Sequence, residues 1–111
     1  MKYVLIICGA EVDLLDSVGR PKASGCEGWN DELKAKGMLH SEAGLRPPSE
    51  ATTVRVRGDD VLVVDGPFAE TRDQIGGFTL IECADLDEAI EVAAKHPVAK
   101  QGSIEIRPLW E

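Results

Sequence analysis

Residues 61–78 read VLVVDGPFAETRDQIGGF. An apolar, β-branched run at 61–64 opens the stretch, and a second apolar run, 75–84, begins near its end. Between them lies a segment too polar for a core: Asp65-Gly66-Pro67-Phe68, then Glu70, Thr71, Arg72 and Asp73. Short β-rich runs bounded by Gly, Pro and Asp are the mark of strands and turns. The stretch therefore predicts two strands joined by a connection of about ten residues, longer than the two to five of an ordinary hairpin.

The elements on either side follow from this reading. Upstream, Thr52–Arg57 alternates Thr and Val with Thr and Arg, and Gly58-Asp59-Asp60 is a turn, so 52–64 reads as a β-hairpin. Residues 38–45 form a strand stopped by Pro47-Pro48. Before it, Ser24 and Glu27 match a capping box. The helix they open carries Cys26, Trp29 and Leu33 on one face, and Gly37 stands at the expected left-handed cap. Residues 2–8 are the first strand, and 9–23 are irregular apart from a helical turn near Val12 and Leu15.

Downstream, Asp85 caps a helix over 85–96 that buries Leu86, Ala89, Ile90 and Ala93, with His96 as a cation in its last turn and Pro97 ending it. Residues 103–109 form the last strand, with Ile104 and Ile106 inward. The order is β-α-β-(ββ)-β-α-β: an α+β, ferredoxin-like split βαβ with an inserted hairpin, in one domain covering 1–111.

Two strands of this pattern are apolar on both sides. Tyr3, Leu5 and Ile7 alternate with Val4, Ile6 and Cys8, and Phe78 and Leu80 oppose Ile81 and Cys83. Two helices cover only one face of a sheet, and a strand apolar on both faces is buried on both. A homodimer packed sheet to sheet would cover the second face. The alternative is that the inserted hairpin folds over it.

The chain has 111 residues and a net charge of −8, with no basic stripe, which argues against direct nucleic-acid binding. No apolar run approaches the roughly 20 residues of a membrane span. Cys8, Cys26 and Cys83 are odd in number and form no C-x-x-C pair, which disfavours a disulfide framework or a zinc site and suits the cytoplasm. Two separated histidines make no metal cluster, and Gly76-Gly77 lacks the Lys-Ser/Thr of a phosphate loop. No metal and no cofactor is implied.

The polar connection admits two readings. Asp65-Gly66-Pro67 is turn chemistry in itself. Phe68 beside Glu70, Thr71 and Arg72, with Gly76-Gly77 allowing close backbone approach, also supplies the ingredients of a small-molecule pocket. In that case a buried Asp65 is the candidate base, Gly66, Pro67, Phe68, Glu70 and Thr71 are candidate ligand contacts, and Arg72 is a candidate partner for an anionic group. His40, two residues from Glu42 on the same strand, is the candidate proton shuttle, with Glu42 beside it. Cys26 reads as a packed thiol, and Trp29 as core or cleft wall.

The run DGPFAETRDQIGGF, followed by LIECADLDEAIEVAAKHP and GSIEIRPL, resembles the DGPF-domain branch of the YCII-related proteins, as do MKYVLIICGAE and GMLHSEAGLRPPSEATTVRVR. The resemblance spans nearly the whole chain. It implies a ferredoxin-like αβ-barrel dimer and no defined reaction. The wider family has been suggested to contain enzymes using a His–Asp pair; this sequence has Asp65 but no His in residues 24–37, so the pair is not carried over. Some relatives are encoded beside alternative sigma factors, which makes a regulatory protein partner in transcription initiation the rival expectation to a small-molecule enzyme.

Overall fold

The computed structural model describes residues 1–14, 26–69 and 71–111. Strand β1 (Lys2–Ala10) leads through a short helix α1 (Glu11–Leu14), and helix α2 (Cys26–Ala35) leads to β2 (Leu39–Gly44). Strands β3 (Thr52–Arg57) and β4 (Asp60–Asp65) follow a 3-10 turn at Pro48–Glu50. Then come β5 (Asp73–Glu82), α3 (Leu86–Ala94), a 3-10 turn at Pro97–Lys100, and β6 (Ser103–Pro108).

The main sheet has the order β2-β5-β1-β6 with every neighbour antiparallel, and β3 and β4 form a separate two-stranded sheet. This is the ferredoxin-like α+β fold with an inserted hairpin. The order follows from the sequence: each strand–helix–strand unit skips one position in the sheet, and the two units interleave.

The core lies between the sheet and the two longer helices. Tyr3, Leu5, Ile81 and Cys83 from β1 and the β5 end meet Trp29 and Leu33 of α2 and Ala89 and Ala93 of α3. Leu5 and Ile81 are fully buried. Helix α2 ends as the Gly37 reading predicts: Gly37 adopts φ +69°, its N–H donates to Lys34 O, and the Met38 N–H donates to Leu33 O, the two bonds of a Schellman cap. The capping box at Ser24 lies outside the described residues. Asp85 caps α3, its Oδ1 accepting from the Glu88 N–H at 2.9 Å.

Two packing expectations are corrected, and the alternative cover for the open sheet face is not found. Helix α3 turns its smallest residues to the sheet: Ala89 and Ala93 are buried, while Leu86 and Ile90 are 50% and 48% exposed. The alanines let the helix approach closely, which rotates the larger side chains outward. His96 follows the helix and is not a solvated cation. It is 4% exposed, its ring meets Trp29 edge-on at 4.7 Å between centroids, and its Nδ1 accepts from the Val98 N–H. Burial lowers its pKa from the ordinary value, so the neutral ring is favoured. The hairpin does not cover the open face of the sheet: its apolar side chains are themselves 45–64% exposed.

Candidate functional site

Two connections, 45–51 and 66–72, meet at the end of the sheet where β5 begins. The Leu45 N–H donates to Gly76 O at 2.9 Å, which pins the exit of β2 against β5. That approach needs glycine at position 77, where a Cβ would lie 2.7 Å from Ala43 O; a Cβ on Gly76 would instead meet the tip of the Leu14 side chain at 2.8 Å, which would have to move. A bulge here, with Ile7 opposite Gly77 and Cys8 opposite Ile75, inserts the extra residue Gly76 and re-aims the start of β5.

The hairpin root is fastened in turn. Gly66 adopts φ +117°, its N–H donates to Ala51 O at 2.7 Å, and its carbonyl accepts from Thr53 Oγ1 at 2.8 Å. Only glycine sits there without strain. Within the following turn, Gln74 Nε2 donates to the Ala69 carbonyl, the Thr71 carbonyl and Thr71 Oγ1, and the Thr71 hydroxyl donates to Asp73 O.

These constraints frame two adjoining concavities. One, of about 420 Å³, is lined by Glu11, Pro48, Ser49, Asp65, Gly66, Pro67, Thr71, Arg72 and Gln74. The other, of about 590 Å³, is an apolar groove between the hairpin root and the β2–β5 end, walled chiefly by Leu45, Val54, Pro67, Phe68 and Ile75.

The sequence-derived candidates divide accordingly. Asp65, Gly66, Pro67, Thr71 and Arg72 share the first cleft, and Phe68 stands 73% exposed on the rim of the groove. Glu70 lies outside the described residues. Asp65 is exposed in this chain, contrary to its expected burial. Its carboxylate makes no side-chain hydrogen bond or ion pair with another described residue, and neither does the Arg72 guanidinium. Thr71, by contrast, is engaged by the turn itself.

His40 and Glu42 line neither concavity. The expected pairing between them is replaced by another: His40 Nε2 lies 2.9 Å from Glu82 Oε2 on the neighbouring strand. The register shift between Leu39 and Ser41 makes His40 the extra residue of a bulge, and Glu42 falls opposite Thr79, a residue buried on the helix side. A simple i, i+2 count cannot see a bulge, and so it placed the two on one face.

The remaining groups offer little chemistry. Burial raises the pKa of both Cys8 and Cys83, which favours the unreactive thiol, and nearby Glu105 and Asp73 add to the effect at Cys8. Trp29 is core, donating from Nε1 to Val92 O at 2.9 Å. The Cys26 side chain lies outside the described part of the structure. Sequence reasoning missed Glu11, Ser49 and Gln74 as cleft residues, because the first two come from segments remote from the DGPF run. Among the described residues no helix is long and apolar enough to cross a membrane.

The model of the YCII-related domain matches residues 1–111. The chain belongs to the YCII-related family. A protein of Rhizobium meliloti (strain 1021), described as uncharacterized, is 47% identical over 75 residues, a match that spans 66% of this chain and 60% of that relative. This YCII-related chain has the ferredoxin-like α+β fold that the resemblance implied for the single chain, with DGPF residues lining a cleft.

Proposed function

We propose that this YCII-related protein, of the DGPF branch, is a cytoplasmic homodimer that binds a small polar molecule in the Asp65 cleft, with Asp65 as the acid–base group. The reading is carried by one observation: a carboxylate and a guanidinium, Asp65 and Arg72, line the same cleft, and neither is engaged by other described residues. Charged side chains held at a concavity by a fastened backbone, without a partner among the described residues, are suited to a ligand that brings complementary groups. Such a ligand presents a donor or cationic group to Asp65 and an acceptor or anionic group to Arg72. Glu11, Ser49 and Gln74 add polar contacts around it.

A thermal-shift screen of polar metabolites tests this, with Asp65→Asn as the paired control. Ligands that stabilise the wild type are expected to lose most of their shift in the variant. Equal shifts in both proteins would remove Asp65 from the site.

A second reading, a non-catalytic protein with a regulatory partner of the sigma-factor type, draws support from the bare valines of the hairpin. It predicts that substitutions on the hairpin abolish activity in the cell while Asp65→Asn is silent.

A further inference from the structure

The Asp65 cleft and the apolar groove beside it share part of their walls. Pro48, Pro67, Thr71 and Gln74 line both. This border is chemically quiet. The two prolines carry no backbone N–H. Gln74 Nε2 and the Thr71 hydroxyl already donate within the turn. A molecule can therefore lie across the border without stripping water from an unpaired donor.

The two sides of the border differ in kind. In the cleft, the charged groups are two carboxylates, Glu11 and Asp65, and one guanidinium, Arg72. None of the three makes a side-chain hydrogen bond or ion pair with another described residue. In the groove, Leu45, Val54, Phe68 and Ile75 are 42–73% exposed, so apolar surface on a concave wall is left to water. Arg46 on that wall is held by Glu50 at 2.9 Å. Asp73 is then the unpaired charge among the described groove residues, and it disfavours an anionic group there.

We propose that the two concavities form one site for an aromatic α-amino acid, or a derivative that keeps both of its charges, with the ring in the groove and the zwitterionic head in the cleft. The inference rests on the ligand cleft proposed above and names its ligand class. Charge balance selects the head. A lone carboxylate would meet one guanidinium and two like charges, and a lone ammonium would leave Arg72 unanswered. A head with both sets its carboxylate on Arg72 and its ammonium against the carboxylates of Asp65 and Glu11.

The groove selects the body. Its volume, about 590 Å³, lies within the range of ligand pockets, and the Phe68 ring on its rim offers an edge or a face to another ring. In an aromatic amino acid a short aliphatic link joins head and ring, which suits two concavities with a common border.

The test uses the full chain and L-tryptophan as the probe, beside tryptamine, which lacks the carboxylate, and indole-3-propionate, which lacks the ammonium. Affinities are read by isothermal titration calorimetry. Tryptophan is expected to bind about tenfold more tightly than either analogue. Arg72→Gln should weaken tryptophan about tenfold and leave tryptamine unchanged. Asp65→Asn should weaken tryptophan and tryptamine and leave indole-3-propionate unchanged. Phe68→Ala should weaken all three. Phe68, Asp65 and Arg72 are exposed, so each variant is expected to keep the wild-type circular dichroism.

Equal affinity for tryptophan and its analogues overturns the two-charge head. Unchanged affinities in Phe68→Ala overturn the groove as the seat of the ring. If tryptophan does not bind while polar metabolites still depend on Asp65, the aromatic amino acid is overturned and the cleft reading stands. If tryptophan does not bind and no metabolite depends on Asp65, both are overturned.

Discussion

The two sides of this molecule are stabilised in opposite ways. On the helix side, Leu5 and Ile81 are fully enclosed, both longer helices end in satisfied caps, and Trp29 and His96 pack edge to face. On the hairpin side, six apolar side chains face solvent, and the backbone is held at its root by the bonds of Gly66 and within the connecting turn by those of Gln74. The candidate ligand groups Asp65 and Arg72 belong to the second side. Burial secures the first region whether or not anything binds. The second is set by local fastening, which leaves it open to a ligand and a partner.

The contrast is tested most strongly by Leu5→Ala. Removing a fully buried leucine is expected to cost about 2–5 kcal/mol in a denaturant titration. Because Leu5 points to the helices, the loss should be the same at low and high protein concentration; a loss that grows with concentration would mean that the helix side also depends on assembly.

A smaller effect is expected from Gly66→Ala. A side chain at φ +117° should cost about 1–2 kcal/mol, and the damage should be confined to the hairpin. Amide exchange should quicken at Gly66 and along β3 and β4 while the β1–β5 amides stay protected. Uniform loss of protection would break the distinction between the two sides.

The smallest effect concerns His96. Its folded pKa is depressed below the ordinary 6.5, so the unfolded chain takes up the proton first. The stability tied to the neutral ring is fully present above the unfolded value and is lost as pH falls from about 6.5 through the depressed folded value. Thermal melts of the wild type and His96→Gln across that window should converge toward acid. Parallel curves would show that His96 stays as solvated in the fold as in the unfolded chain.

The fold was legible because periodicity and punctuation agreed. Alternation at Thr52–Arg57, the Gly58 turn, the Gly37 cap and the Asp85 cap all fall where the structure has them. Element ends were less legible: β5 begins at Asp73 rather than at residue 75, because the Asp73 and Gln74 backbone pairs with β1 despite polar side chains. Half of the candidate site was legible too, since the DGPF run carries its own turn chemistry and stays together as a unit. His40 and Glu42 were not, because a single-residue bulge changes which face each occupies. Glu11 and Ser49 gave no local signal, since they reach the cleft only through the folding of distant segments.

The sequence by itself determined the order of elements, the two-sided apolar strands and the polar corner between β4 and β5. These are written in short-range patterns that backbone geometry and hydrophobic periodicity read directly. Only the tertiary structure decided that alanines rather than Leu86 and Ile90 face the sheet, that His96 is buried, that His40 turns to Glu82, and that Asp65 and Arg72 share a cleft. Each of these depends on register, bulges and the distance of closest approach, which arise when separate segments are packed against one another.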